Sequence, residues 1–407
     1  MSPERERLEI AMCTLLLWPA MTTARLRVLC SAVGAEESLR ALASRADLVG
    51  ETLVEMPGAA SSLFAQVPDL GALHSRAMAR WCTGRAGGMS MWLPGDPWWE
   101  DRFANHSQQP AALFTRGDRA LLDRPRVAIV GTRSATPPGR EMARLLGHEL
   151  SDAGVAVVSG LAFGIDAHAH AGALASRDPA PIAVVGSGLD VIYPRQNSEL
   201  WGRVGSQGLL VSEYLPSTRP STHSFPARNR IIAALSQVVV VVESTDHGGS
   251  LLTADEAHRW KRPVMVVPGN PLHPSCVGSN QLLRQRLGER PVQVCLETAD
   301  VLSLLMLDRA VDSGFTDQRR SPDEPGEAVL GALGWETLST GRLVSLTGRA
   351  PAEVAAALDQ LDVDGWVECH NGAWSQRASA IRAKARKPAT SGEWRKQPQL
   401  FREPSAS

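Results

Sequence analysis

The sequence contains no apolar run of the ~18 residues that a membrane-spanning helix needs. Its first residues, Met-Ser-Pro-Glu-Arg-Glu-Arg, lack the cationic start of a secretory signal peptide. The six cysteines include no CxxC pair, which argues against a zinc site and a disulfide framework and favours a reducing compartment. We therefore expect a cytoplasmic protein that has no membrane segment.

Familiar catalytic and phosphate-binding motifs are missing as well. There is no GxxxxGK[ST] loop, and neither Gly131-Thr-Arg nor Gly186-Ser-Gly-Leu-Asp-Val completes a GxGxxG fingerprint. No HExxH or GxSxG motif and no paired carboxylates are evident. His168 and His170 are two residues apart on a predicted helix and so face different sides, while N-capping explains Asp166 at the start of that helix. We expect no catalytic residue, no metal and no cofactor.

The net charge of −1 hides an uneven distribution. Residues 376–407 carry eight Lys/Arg and two Glu, a charge of +6, whereas the remaining 34 basic and 41 acidic residues give −7. Such a basic tail permits a nucleic-acid partner but does not require one. We predict that this tail is disordered.

Six short β-branched runs start 26 to 29 residues apart in the middle of the chain. They are 127–130, 155–158, 182–185, 209–211, 238–242 and 264–267. The spacing leaves room for a crossover helix each time, and continuous apolar runs suit strands that are buried on both faces. The pattern predicts an α/β fold, a Rossmann-like doubly wound parallel sheet, over residues 126–305.

The predicted core is flanked by segments of a different character. Ala- and Leu-rich sequence predicts an N-terminal helical domain over 1–80, which we expect to be SAM-like. A Trp- and Pro-rich stretch follows in the predicted connector over 81–125, which we expect to pack on the core. A polar linker over 306–325 leads to a C-terminal domain at 326–375. There, three helices, the first over 327–338, and a hairpin give the pattern of a winged-helix domain.

Small or polar residues follow every predicted strand of the core. Because ligands of open α/β sheets bind beyond the carboxyl ends of the strands, these clusters indicate one shared crevice. Glycines there let backbone N–H groups approach an anion. We expect Gly131, Gly160, Gly164 and Gly249 to line a single pocket at that edge of the sheet.

Arginine is the characteristic cation of this crevice, at positions 133, 195, 228 and 230. Guanidinium groups match phosphate oxygens and stack on bases, so spaced arginines suit a nucleic-acid backbone better than one small phosphate. Arg133 and Arg195 each lie just past a strand end. Arg228 and Arg230 are two residues apart near a helix start, and we do not expect both to point into the crevice.

Taken together, these motifs resemble the DprA/Smf family of DNA-processing proteins, through about residues 92–285 in uninterrupted order. The matching segments are LFTRGD (113–118), VAIVGTR (127–133), VSGLAFGID (158–166), AVVGSGLDVIYP (183–194), LVSEY (210–214), FPARNRIIAALS (225–236), GSLLTA (249–254) and VPG (267–269). The FPxRNRII and GSLxTA patterns are highly specific.

The resemblance implies a protein that is not an enzyme. It implies binding of single-stranded DNA in a basic pocket of the core, a homodimer, and loading of RecA recombinase in DNA uptake (transformation) and homologous recombination. With the crevice glycines, the implied nucleic-acid-binding positions are Gly131, Arg133, Gly160, Gly164, Arg195, Arg228, Asn229, Arg230, Gly249 and Ser250.

The chain departs from the family pattern at two places. Many relatives have a basic residue where this chain has Phe163. The phenylalanine lacks the positive charge, but it offers a ring on which a base can stack. Relatives often read GTNxLIxxGA near their self-association surface, whereas residues 278–288 here read GSNQLLRQRLG.

A Rossmann-type enzyme that acts on a nucleotide, of the phosphoribohydrolase type, is the competing interpretation. The PGGxGT signature of that family is missing, and Pro268-Gly-Asn-Pro does not supply it. Binding through many phosphates weakens steeply with ionic strength, whereas a pocket for one nucleotide responds far less, so salt dependence separates the two.

Overall fold

The computed structural model describes residues 2–56, 58–96, 99, 102–103, 108–284, 286–287, 290–305, 322–334, 337–370 and 372–376. The chain divides into two compact units, Met1–Asp312 and Ser313–Ser407. Most of the predicted linker over 306–325, and the predicted basic tail apart from Gln376, lie outside the described residues.

The first part of the chain is helical. Its helices are α1 (Pro3–Leu16), α2 (Thr23–Ser44), α3 (Asp47–Thr52), α4 (Ala59–Phe64) and α5 (Leu70–Ala86). Ser2 and Thr22 cap the first two helices, since each side-chain hydroxyl accepts a backbone N–H of the first turn. Trp81 of α5 packs edge-on against Phe114 of the sheet, with 5.6 Å between ring centroids. The helices therefore share a hydrophobic core with the sheet.

Nine of the described strands of the first unit form one large sheet in the order β1-β2-β6-β5-β4-β3-β7-β8-β11. They are β1 (Ser90–Trp92), β2 (Leu113–Gly117), β3 (Arg126–Val130), β4 (Ala156–Ser159), β5 (Pro181–Val185), β6 (Leu209–Ser212), β7 (Val238–Val241), β8 (Val264–Val266) and β11 (Gln293–Val294). A separate antiparallel pair is formed by β9 (Arg286–Leu287) and β10 (Arg290–Pro291). Strands β3 to β8 and β11 pair in parallel, which confirms the predicted fold class.

Helices cover both faces of this sheet. They are α6 (Pro137–Asp152), α7 (Ile165–Leu174), α8 (Ser198–Gln207), α9 (Ser224–Leu235), α10 (Gly249–Arg259), α11 (Val277–Arg284) and α12 (Thr298–Leu304). One face packs against α6, α7 and α12, and the other against α9 and α10. From β3 the chain moves outward through β4, β5 and β6, and then returns to β7 on the other side of β3. The topological switch point therefore lies between β3 and β7.

The second unit has the helices and the hairpin of a winged-helix fold. Its elements are α13 (Glu324–Leu333), β12 (Thr337–Ser339), α14 (Thr340–Thr347), α15 (Pro351–Val363), β13 (Val367–His370) and β14 (Ala373–Gln376). The predicted helix over 327–338 is wrong at its end, because α13 stops at Leu333 and Leu338 pairs with Trp374 in the sheet. Among the described helices, none combines the length and the apolar character that crossing a membrane would require.

Candidate nucleic-acid interface

A cleft opens beyond the carboxyl ends of β4 and β5. Its walls come from the loops that follow these two strands, from Arg133 in the loop after β3, and from the first turns of α9. The predicted site residues Arg133, Gly160 and Arg228 line it, together with the aromatic residues Phe163, Tyr193 and Phe225. The cleft therefore combines cations with aromatic rings.

Arg228 forms the cationic floor of the cleft. Its Nη1 donates to the carbonyl of Val184 at 2.5 Å, and its Nη2 lies 3.6 Å from Oδ2 of Asp166. Burial lowers the pKa of Arg228, and the carboxylate of Asp166 acts in the opposite direction. The guanidinium leaves no room for a side chain at Gly160, where a Cβ would lie 1.6 Å from Nη1. A side chain at position 160 would therefore displace the guanidinium from its contacts with Val184 and Asp166.

Asp166 holds this floor in place. Its Oδ2 accepts the backbone N–H of Gly160 at 3.1 Å while facing Arg228. Burial raises the pKa of Asp166, and Arg228 and the N–H groups of Ala162 and Gly160 counteract the rise. The capping interpretation of Asp166 is wrong, because the N-cap of α7 is Gly164 and no side chain caps this helix. The carboxylate points back to the loop after β4 instead.

Aromatic rings form the rim of the cleft. The guanidinium of the exposed Arg133 lies 5.3 Å from the ring centroid of Phe225. The rings of Phe225 and Tyr193 are 5.2 Å apart, with 32° between their planes. Phe163 and Tyr193 remain 39% and 42% exposed. Solvent-accessible rings beside cations are the arrangement on which unpaired bases stack.

Two of the predicted glycines lie behind the cleft, where two loops pack closely against each other. Gly164 has a φ of +73°, and a Cβ there would lie 2.3 Å from the carbonyl oxygen of Thr132. A Cβ on Gly131 would lie 2.4 Å from the side chain of Ile165. Both positions need glycine because the loops after β3 and β4 approach each other closely.

The remaining predicted positions lie elsewhere along the sheet edge. Arg230 points away from the cleft, donating to the carbonyl of Gln108 at 2.9 Å and pairing with Glu213. Arg195 is exposed and follows the cleft residue Pro194. As expected, Arg228 and Arg230 do not share the crevice, whereas Arg195 lies just beyond the described lining.

A separate cluster links α9 to the start of α10. Asn229 donates to the carbonyl of Gly249 at 3.2 Å, and Ser250 donates to the hydroxyl of Ser244 at 2.8 Å. Gly160 is the member of the four predicted glycines that lines the cleft. The expectation of one pocket lined by all four is therefore wrong, because Gly131 and Gly164 pack where the loops after β3 and β4 meet behind the cleft, and Gly249 contacts Asn229 instead.

The histidines of α7 face different environments, as their spacing predicts. His168 contacts the carbonyl oxygen of Gly164 through Nδ1 at 2.8 Å, whereas His170 is fully buried. Burial, with a smaller contribution from Arg228, lowers the pKa of His170 to about 3. Within the described ranges, His, Cys, Asp and Glu side chains form no group of three or more that could hold a metal.

The roles of Tyr193 and Phe225 are not predicted from the sequence, although a signal was present. The chain has only two Tyr and seven Phe, and three of these nine rings, including Phe163, lie at the cleft. Scarce aromatic residues next to glycine- and arginine-containing loops indicate a stacking surface.

The comparisons with known proteins identify the family of the chain. A family model described as DNA recombination-mediator protein A matches residues 90–301, more than half of the chain, and one described as DprA winged helix domain matches residues 315–373. Protein Smf of Synechocystis is 35% identical over 286 residues, which make up 62% of this chain and 70% of that protein. The DNA processing protein DprA of Bacillus subtilis is 40% identical over 177 residues, 43% of this chain and 59% of that protein.

A solved structure supports the same assignment. The X-ray structure of DNA processing protein A from Streptococcus pneumoniae matches with a TM-score of 0.56 and 30% identity, covering 71% of this chain and 95% of that chain. Family models, relatives and fold thus agree. The chain belongs to the DprA/Smf family of DNA-processing proteins.

Proposed function

We propose that this protein binds single-stranded DNA in the cleft between the ends of β4 and β5. The observation that carries the proposal is the stack of Arg133, Phe225 and Tyr193 above the buried cation Arg228. We further propose that the bound protein is a homodimer that loads RecA in DNA uptake and homologous recombination. Membership of the family supports these last two steps.

The exposed rings favour a single strand over a duplex. Base faces in a duplex are covered by their neighbours, so only an unpaired base can lie on Tyr193 or Phe163. A backbone that follows the rim would meet Arg133 and the exposed Arg195. Helices α7 and α9 also begin at the cleft, where the positive ends of their dipoles favour negative charge.

The two cleft arginines have different roles in this proposal. Arg133 is exposed and hydrated, so contact with a phosphate releases counterions and makes binding sensitive to salt. Arg228 is buried and faces Asp166, so its position is fixed before the strand arrives. It contributes oriented N–H donors at little entropic cost.

A titration of labelled single-stranded and double-stranded oligonucleotides of the same sequence tests the proposal. Fluorescence anisotropy at several salt concentrations should give tighter single-strand binding that weakens steeply as salt rises. Tyr193→Ala should weaken that binding, whereas Met78→Ala on α5 should not, although the two side chains are equally exposed at 42%. Equal affinity for both DNA forms, or equal effects of the two substitutions, would contradict the proposal.

The phosphoribohydrolase alternative is not favoured, because the matching family consists of DNA-processing proteins. The same titration distinguishes it. A one-nucleotide pocket would give oligonucleotide binding with little dependence on salt.

A further inference from the structure

The crevice at the switch point between β3 and β7 is filled by a side chain of the chain itself. In doubly wound folds, nucleotide phosphates bind in this crevice at the start of the first crossover helix. Here that helix is α6, and Glu243, two residues past the end of β7, reaches its first turn. Glu243 is only 4% exposed.

The carboxylate of Glu243 takes the hydrogen bonds that an anionic ligand would take. Thr136, the N-cap of α6, donates its backbone N–H to Oε2 at 2.9 Å and its hydroxyl to Oε1. The thiol of Cys276 lies 3.9 Å from Oε1. A Cβ on Gly139 would lie 2.3 Å from the carboxyl carbon of Glu243, so the glycine makes room for the carboxylate.

The first turn of α6 has no further N–H group to offer a ligand. Pro137 and Pro138 have no backbone N–H. The N–H of Gly139 donates to the hydroxyl of Thr136 at 3.1 Å, and the N–H of Arg140 donates to the carbonyl of Thr136. Every backbone N–H that could donate to a phosphate at this helix start is therefore either missing or already hydrogen-bonded within the chain.

The backbone of Glu243 closes the crevice from the other side. Its carbonyl accepts the N–H of Thr132 at 2.8 Å, which ties the end of β7 to the loop after β3. A Cβ on Gly131 would lie 2.8 Å from that carbonyl oxygen. The two strand ends that form a switch-point crevice are thus joined directly.

We propose that Glu243 is a built-in substitute for phosphate that excludes nucleotides from the switch-point crevice. Because nucleotides cannot bind where the carboxylate lies, the neighbouring cleft at β4 and β5 is left as the site that receives the ligand. The exclusion does not depend on which ligand that cleft binds.

Removing the carboxylate should create an anion site. In Glu243→Ala, the N–H and the hydroxyl of Thr136 lose their acceptor at the positive end of the α6 dipole. The thermal midpoint of the full-length variant is measured in formate or inorganic phosphate, with sodium chloride of equal ionic strength as the reference. With a dissociation constant of ~10 mM, about 50 mM of either anion should raise the midpoint by about 2 °C beyond any rise in the wild type.

Glu149→Ala is the matched control. Glu149 lies near the other end of α6 and also accepts a threonine hydroxyl, from Thr298 at 2.5 Å. This variant should lose stability without recovering it in formate or phosphate, since the carboxyl end of a helix disfavours anions. Equal anion responses in Glu243→Ala, Glu149→Ala and the wild type would overturn the proposal.

Glu243→Gln gives a second measurement if the alanine variant does not fold. It keeps the volume of the side chain but removes the charge at the start of α6, so the midpoint should fall with no recovery in either anion. An unchanged midpoint would overturn the proposal. The unfolding measurements contain no DNA and test the role of Glu243 alone. The single-strand titration tests DNA binding, so either proposal can be contradicted while the other is supported.

Discussion

Arg228 and Asp166 face each other at the floor of the cleft, with 3.6 Å between Nη2 and Oδ2 and each side chain only 7% exposed. The pair joins the start of α9 to the start of α7, and so it fixes the geometry of the loop after β4. A buried pair of this kind is costly to break, because the remaining partner becomes an uncompensated buried charge.

Asp166→Ala and Arg228→Met should therefore each destabilise the first unit strongly. We expect each substitution to lower the free energy of unfolding by about 3–5 kcal/mol, measured by urea denaturation. The double variant should be less destabilised than the sum of the two, because no unpaired charge remains. Additive effects would show that the two side chains do not interact.

His170 should make stability depend on pH. Its pKa in the folded chain is about 3, below the ordinary value of 6.5, so the unfolded chain binds a proton that the folded chain does not. Stability from this residue is complete above pH 6.5 and is lost as the pH falls toward 3. Between pH 7.5 and 5.0 the wild type should lose about 2 kcal/mol more than His170→Gln in urea denaturation. Parallel losses would contradict the prediction.

The strands of the parallel core are predictable from the sequence because both of their faces are buried. A continuous β-branched run such as Val238–Val241 satisfies that environment on both sides, and each of the six predicted strands lies within one residue of its observed position. Strand β12 is not predictable in this way. It has three residues, and pairing with β14 rather than any periodicity defines it.

The side-chain contacts of the site are harder to predict, since they join residues that are distant in sequence. Glu243 and Thr136 are 107 positions apart, and nothing in either local pattern indicates that they meet. Arg228 and Arg230 look alike in the sequence. They lie two residues apart on α9 and therefore on different sides of the helix, which places Arg228 in the cleft and Arg230 against Glu213.

Arg133→Ala should reduce the salt dependence of single-strand binding. If the guanidinium contacts one phosphate, the slope of log K against log salt should fall by about 0.7. All sequences should weaken alike, because a backbone contact does not read bases. Arg133→Lys should give an intermediate affinity, since it keeps the charge but not the planar fork. Arg76→Ala, an exposed arginine on α5, is the control that should leave the slope unchanged.

Phe163 should contribute through stacking rather than charge. Phe163→Ala should weaken single-strand binding by about 1–3 kcal/mol and leave the salt slope unchanged. Phe163→Lys should raise the slope by about 0.7 if the new cation reaches a phosphate. Anisotropy titrations at three salt concentrations measure both quantities. A change of slope in Phe163→Ala would show that the ring acts indirectly on the cations.

The winged-helix unit should add little to single-strand affinity. Its helix α15 carries Glu353, Asp359 and Asp362 but no Lys or Arg, whereas helices that read a duplex present basic or amide side chains to the groove. We therefore expect this helix to contact protein rather than DNA.

Deleting residues 313–407, the second compact unit, should leave the affinity for a single strand within about tenfold, since the cleft lies wholly in the first unit. The deletion also removes the basic tail, whose positive charge can attract any polyanion. A second variant that lacks only 377–407 separates the two contributions. If the larger deletion loses more than about tenfold and the tail deletion does not, then the winged-helix unit itself holds the strand, and the acidic surface of α15 must face away from it.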